Sequence, residues 1–91
     1  MPRILVFTNP GFSGTVKEFT LNDPDLTQNG DDLTFASAIV LSGSWNLYDE
    51  VNQAGNTISL SATSGPNGDG AFKDPADWGG AAAFHVKSIT I

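Results

Sequence analysis

The sequence predicts an all-β domain in which two copies of one unit pack face to face as a sandwich. Three observations carry this reading. Ten glycines and five prolines, with many Ser, Thr and Asn, interrupt the 91 residues too often for an apolar stretch of helical period. Between the interruptions lie short runs rich in β-branched and aromatic residues. A segment of about forty residues then recurs along the chain.

The runs are 3–8, 15–21, 35–42, 44–49, 57–61 and 84–91, each bounded by turn formers. Alternation puts Trp45 and Leu47 on one face of the fourth run and Ser44, Asn46 and Tyr48 on the other. In the fifth, Ile58 and Leu60 lie opposite Thr57, Ser59 and Ser61. Pro24, Pro66 and Pro75 fall between runs, where a missing backbone N–H harms no ladder.

The repeat is read by placing Val6-Phe7 over Leu47-Tyr48, which brings Gly14 onto Gly55 and Phe19 onto Leu60 at an offset of 41. In each copy an aromatic precedes a glycine by seven positions, in FTNPGFSG and in YDEVNQAG. A hairpin folded onto its sheet needs a residue tolerant of positive φ, and the earlier aromatic can lie across it. Loops DPDL and DPADW follow, then closing runs matched as ASAIVL and VKSITI at offset 50. That match makes the second copy nine residues longer, mostly within SGPNGDGAF. The apolar positions Ala36, Ile39, Leu41 and Val86, Ile89, Ile91 break period two, so a bend is expected at the same place in both copies. Neither copy can bury its apolar face alone, so residues 1–91 form one domain, with units of about 1–42 and 43–91.

A net charge of −6 has the wrong sign for phosphate neutralisation, so neither nucleic acid nor an anionic membrane is expected as a partner. With no cysteine there are no disulfides, thiolate metal sites or thiol nucleophile, and a reducing compartment is favoured. No apolar run approaches the ~18–20 residues of a membrane span, and the first residues lack a secretory h-region and cleavage site. The expectation is a soluble, cytoplasmic chain.

Catalysis is not expected, nor is a small-molecule substrate. His85 is the single histidine and should point outward with Lys87, opposite Phe84 and Val86. GFSG and LSGS only approximate a G-x-S-x-G elbow, and no phosphate-binding G-x-x-x-x-G-K-S/T is present. The pairs Asp31-Asp32 and Asp49-Glu50 fall in predicted turns, where carboxylates are solvated.

The spacing in FTNPGFSG (aromatic, four residues, aromatic, one residue, glycine), repeated after about forty residues, resembles the βγ-crystallin superfamily. YDEVNQAG keeps the first aromatic and the glycine but has Gln53 in place of the second aromatic. SGSWNLYDEVN and PADWGG also look like the family's second motif. The resemblance implies two Greek keys forming a sandwich, with Phe7, Tyr48, Trp45 and Trp78 in structural roles.

The resemblance also implies where calcium would bind: a stretch before each closing strand with two Asn/Asp, two variable residues and Ser/Thr-Ser, supplying the hard oxygens calcium needs. Aligned on the apolar positions, these are LTFASA, where Leu33 and Thr34 replace the acids and Ser37 keeps the hydroxyl, and AFHVKS, where Ala83 and Phe84 replace the acids and Lys87 the hydroxyl. Both motifs look degenerate, so no cofactor is expected and no metal residues are assigned. A shifted register would put Asp32 first and Ser37 last, with Asp31 adjacent, making Asp32 and Ser37 the candidates for a weak site. Asp69, Asp74 and Asp77 lack EF-hand spacing and read as solvated surface.

By resemblance the chain is then a non-enzymatic structural or protective protein, abundant in a setting such as a fungal developmental stage. The alternatives are a calcium-binding module with weak sites, and a secreted toxin or protease inhibitor using the loop 64–70. Self-association is an accessory expectation, through Val51 and closing-strand side chains near the C-terminus.

Overall fold

The computed structural model describes residues 2–30, 32–79 and 83–91. Each copy begins with a hairpin: β1 (Arg3–Asn9) with β2 (Ser13–Phe19), and β5 (Ser44–Glu50) with β6 (Ala54–Ser61). The two pair in the same register 41 residues apart, Phe7 with Val16 and Tyr48 with Thr57, and both ladders shift one step later. Beyond that shift the backbone turns left-handed at Gly11-Phe12 and at Asn52-Gln53. It folds back at Gly14 (φ +83°) and Gly55 (φ +78°), where an added Cβ would run into the side chains of Thr8 and Asp49 respectively. Positive φ and close approach together require glycine there.

The closing segments bend as expected. The first divides into β3 (Leu33–Phe35) and β4 (Ser37–Ser42) at Ala36, and the second into β8 (Phe84–Val86) and β9 (Ser88–Thr90) at Lys87. The offset is a correction: it is 51, not 50. Ala36 N–H donates to the Phe7 carbonyl at 2.9 Å and Lys87 N–H to the Tyr48 carbonyl at 2.8 Å. The reason is two buried serines, not apolar spacing. The Ser37 hydroxyl donates to the Asn9 carbonyl (2.6 Å) and accepts from Phe12 N–H (3.0 Å). That of Ser88 donates to the Glu50 carbonyl (2.6 Å) and accepts from Gln53 N–H (3.0 Å). Each serine thus satisfies two backbone groups that the folded hairpin leaves without ladder partners.

Between hairpin and closing segment each copy carries a 3-10 turn, Leu26–Asn29 after Asp25 and Pro75–Trp78 after Asp74, ending at left-handed Gly30 and Gly79. The offset therefore climbs from 41 at the hairpins to 49 at these turns and 51 at the closing strands, so the second copy is ten residues longer, not nine. The sequence reading missed the turns and one strand, β7 (Ala71–Phe72).

β7 sets the topology. Although it belongs to the second copy, it pairs with β4 of the first, Phe72 opposite Ala38. The first copy reciprocates with one residue: Asp23 bridges Ile89 of β9 through two bonds of 2.9 Å. Sheet I thus runs β2-β1-β4-β7 and sheet II β6-β5-β9, with Asp23 at its edge, while β3 and β8 form a two-stranded ribbon. Ile4, Val6, Phe19, Trp45, Leu47, Leu60, Phe72 and Ile89 fill the space between the sheets. The Trp45 indole N–H donates to the Ser42 carbonyl at 3.1 Å, and Trp78 packs against Phe35 with ring centroids 5.1 Å apart. Both tryptophans are therefore core or corner residues.

Replacing either serine leaves two hairpin groups unpaired in a dry site. Ser37→Ala and Ser88→Ala should each lower unfolding free energy by about 1–3 kcal/mol in urea denaturation, with similar losses because the two sites are equivalent.

Candidate functional site

The ribbon brings titratable groups together. Its register pairs Leu33 with Val86, Thr34 with His85 and Phe35 with Phe84. Because Thr34 and His85 are equivalent at offset 51, the pseudo-two-fold axis relating the copies passes between them. Alternation turns Val86 fully inward and leaves His85 exposed, as the sequence reading expects. That reading missed the partners of His85: Thr34 Oγ1 lies 2.7 Å from Nδ1 and Asp32 Oδ2 lies 2.8 Å from Nε2. Asp32 is placed by its own N–H, which donates to the Leu26 carbonyl at 3.2 Å.

Carboxylate, imidazole and hydroxyl in contact order share the composition of a hydrolase triad. A cleft of about 260 Å³ lies elsewhere, walled by Phe12, Pro66, Asn67, Asp69, Ala71, Lys73 and Asp77 and without any of the three. In that cleft Asp69 accepts from Ala71 N–H (3.2 Å) and Asp77 from Lys73 N–H (2.9 Å), so both carboxylates brace the turns around β7. Asp74 Oδ1 is buried without a hydrogen-bond partner. The loop 64–70 is tied down at its base, with Gly70 N–H donating to the Ser64 carbonyl and Val40 N–H to the Gly70 carbonyl, both at 2.8 Å. Its exposed part is 66–69.

A family model described as Beta/Gamma crystallin matches residues 3–91. The chain belongs to the βγ-crystallin family. A Beta/gamma-crystallin of Ciona intestinalis is 30% identical over 80 residues, covering 88% of this chain and 87% of the relative. The solved beta gamma crystallin from that organism superposes with a TM-score of 0.77 at 26% identity, covering 97% and 96% of the two chains. Two others share the fold. The fifth crystallin domain of the non-lens protein Absent in melanoma 1 has a TM-score of 0.79 at 23% identity, over 99% of this chain and 86% of that one. A transition-metal-ion-binding betagamma-crystallin from Methanosaeta thermophila has 0.65 at 24%, over 94% and 95%.

Within this βγ-crystallin the offset of 51 resets the alignment of the two stretches that the sequence resemblance compares with calcium motifs. With Ser37 and Ser88 equivalent, the stretches are 32–37 and 83–88, so Asp32 opens the first and Ser37 closes it. This replaces the alignment that began at Leu33. The fifth position, an oxygen donor in the family pattern, holds Ala36 in one copy and Lys87 in the other. Ser37 is fully buried with both its bonds spent on the hairpin, while Asp32 faces His85. Asp31 lies outside the described residues. Among the described residues no three of His, Asp and Glu gather closely enough to hold a metal, and no helix is long and apolar enough to cross a membrane.

The Asp32 and His85 side chains are 27% and 43% exposed, so their contact is screened by solvent. A double-mutant cycle of Asp32→Ala and His85→Ala should return a coupling of about 0.5–1 kcal/mol in thermal or urea unfolding.

Proposed function

We propose that this βγ-crystallin is a non-enzymatic structural or protective protein that works without a high-affinity calcium site. The observation that carries the reading is the content of the fifth position in each stretch. Ala36 offers no side-chain oxygen, and Lys87 brings a positive charge to the place of a cation. The neighbouring serines support the same reading, because their hydroxyls are already committed to backbone groups. A net charge of −6 suits a protein kept soluble at high concentration, and a cysteine-free chain suits a reducing compartment. A fungal developmental setting rests on the sequence resemblance alone, since the relatives above come from other sources.

A second reading is a weak cation site at Asp32. The specific observation favouring it is the His85 imidazole on the same carboxylate, a nitrogen and oxygen pair suited to zinc, nickel or copper more than to calcium. The transition-metal-binding relative adds support. The toxin or inhibitor reading has less behind it, because the loop 64–70 is fastened to sheet I at Gly70.

Thermal unfolding with and without about 1 mM calcium, the range of weak sites, separates these readings. The curves should superimpose within about a degree. A rise of several degrees would restore the calcium module, and a rise with zinc but not calcium would favour the Asp32–His85 site.

A further inference from the structure

The cleft of about 260 Å³ is built where the two copies differ. The first copy contributes Phe12, whose counterpart Gln53 has no ring, and the second contributes Pro66 and Asp69 from the loop that lengthens it. Phe12 is held in place although it is exposed. Its backbone sits at φ +59°, fixed by its own N–H on Ser37 Oγ (3.0 Å) and by Gly11 N–H on the Lys73 carbonyl (2.7 Å). Its ring meets that of Phe7 with centroids 5.8 Å apart and stays 36% exposed. An aromatic so ordered and so open offers a binding face at little cost in entropy.

The carboxylates of the cleft follow from strand geometry. β7 is an edge strand of sheet I, and two of its side's backbone donors are taken by aspartates: Ala71 N–H by Asp69 Oδ1 at 3.2 Å and Lys73 N–H by Asp77 Oδ2 at 2.9 Å. Each carboxylate keeps a second oxygen that makes no hydrogen bond among the described residues. Donors two residues apart on a strand are separated by ~6.8 Å, so the two carboxylates are set side by side along the edge. A calcium ion, which gathers six or more oxygens at ~2.3–2.6 Å, does not suit that arrangement. Lys73 leaves the lining with a net charge of −1, and its exposed side chain is free to turn its ammonium to solvent. One positive charge therefore neutralises the cleft, and the Phe12 ring, the Pro66 ring and the Ala71 methyl supply carbon surface beside it.

We propose that this cleft binds a small organic monocation, a free primary amine with an apolar body, whose body lies on Phe12 and Pro66 and whose ammonium faces Asp69 and Asp77. The aromatic face attracts the same charge as the carboxylates. Volume limits the ligand: the cleft is smaller than the ~300 Å³ at which drug-sized sites begin, and an open site of this size gives a dissociation constant on the order of 1 mM.

Titration of the protein with phenethylammonium, followed by backbone amide NMR shifts, tests the proposal. Saturable shifts should centre on Phe12, residues 67–73 and Asp77. On the same wild-type protein 2-phenylethanol, which has the body without the charge, and phenylacetate, with the opposite charge, should each bind ~5-fold more weakly or not at all. Nα-acetyl-lysinamide, which carries the charge on a protein-like side chain, should also bind more weakly. Phe12→Gln, the second copy's own residue, should weaken phenethylammonium ~3-fold. Asp69→Asn with Asp77→Asn keeps an oxygen for each backbone donor and should weaken it ~5-fold. Glu18→Gln with Glu50→Gln removes the same charge outside the cleft and should leave binding unchanged. The proposal is overturned by shifts that do not saturate by ~10 mM, ten times the proposed constant, or that centre elsewhere. Equal or tighter binding of the alcohol, of phenylacetate or of the lysine derivative overturns it too, as does undiminished binding in the double aspartate variant. The comparison of ligands needs no variant, so it stands even where a substitution prevents folding.

Discussion

Everything in this molecule depends on the exchange of one strand between its two copies. β7 leaves the second copy to edge the first copy's sheet, and Asp23 leaves the first to edge the second's. At this size a chain buries only ~60–65% of its unfolded surface, and neither half could close a core by itself. The exchange makes the core common property: Phe72, from the second copy, is 2% exposed because it lies in a cluster with Ile4, Val6 and Val40 of the first. The ribbon of β3 and β8 adds a second tie, where Phe35 and Phe84 meet with centroids 5.9 Å apart.

Two small residues per copy let that exchange happen. A glycine allows the hairpin to fold over its own sheet, and a serine takes up the two backbone groups that the fold strands. These requirements concern the backbone, so they persist whatever becomes of the surface. Ser37 and Ser88 hold the register of each closing strand through the hairpin backbone, whatever side chains stand beside them at Ala36 and Lys87.

Much of the fold was legible because its signals are local. Period two in SWNLYD identifies β5 and its buried face, and the spacing from aromatic to glycine marks both folded hairpins. Where the reading slipped, the deciding contact was not local. Matching Ala36 to Val86 by hydrophobicity gave an offset one short, because the true counterpart of Ser37 is Ser88 and each is fixed by a hairpin some thirty residues away. β7 has two residues and its counterpart one, too few for any periodic pattern. Of the candidate site, the outward place of His85 followed from alternation. Its contacts with Asp32 and Thr34, 53 and 51 residues distant, required the pairing of β3 with β8.

The central claim is that the exchange makes the two copies one cooperative unit. Native-state hydrogen exchange measures this most directly at the amides of Val40 and Ile89, which donate across the copies to the carbonyls of Gly70 and Asp23 at 2.8 and 2.9 Å. Both should exchange only through global unfolding, with the same free energy and the same denaturant dependence as the whole domain. If either amide opened at a free energy lower by about 2 kcal/mol or more, with a small denaturant slope, one copy would be opening without the other and the account would be contradicted.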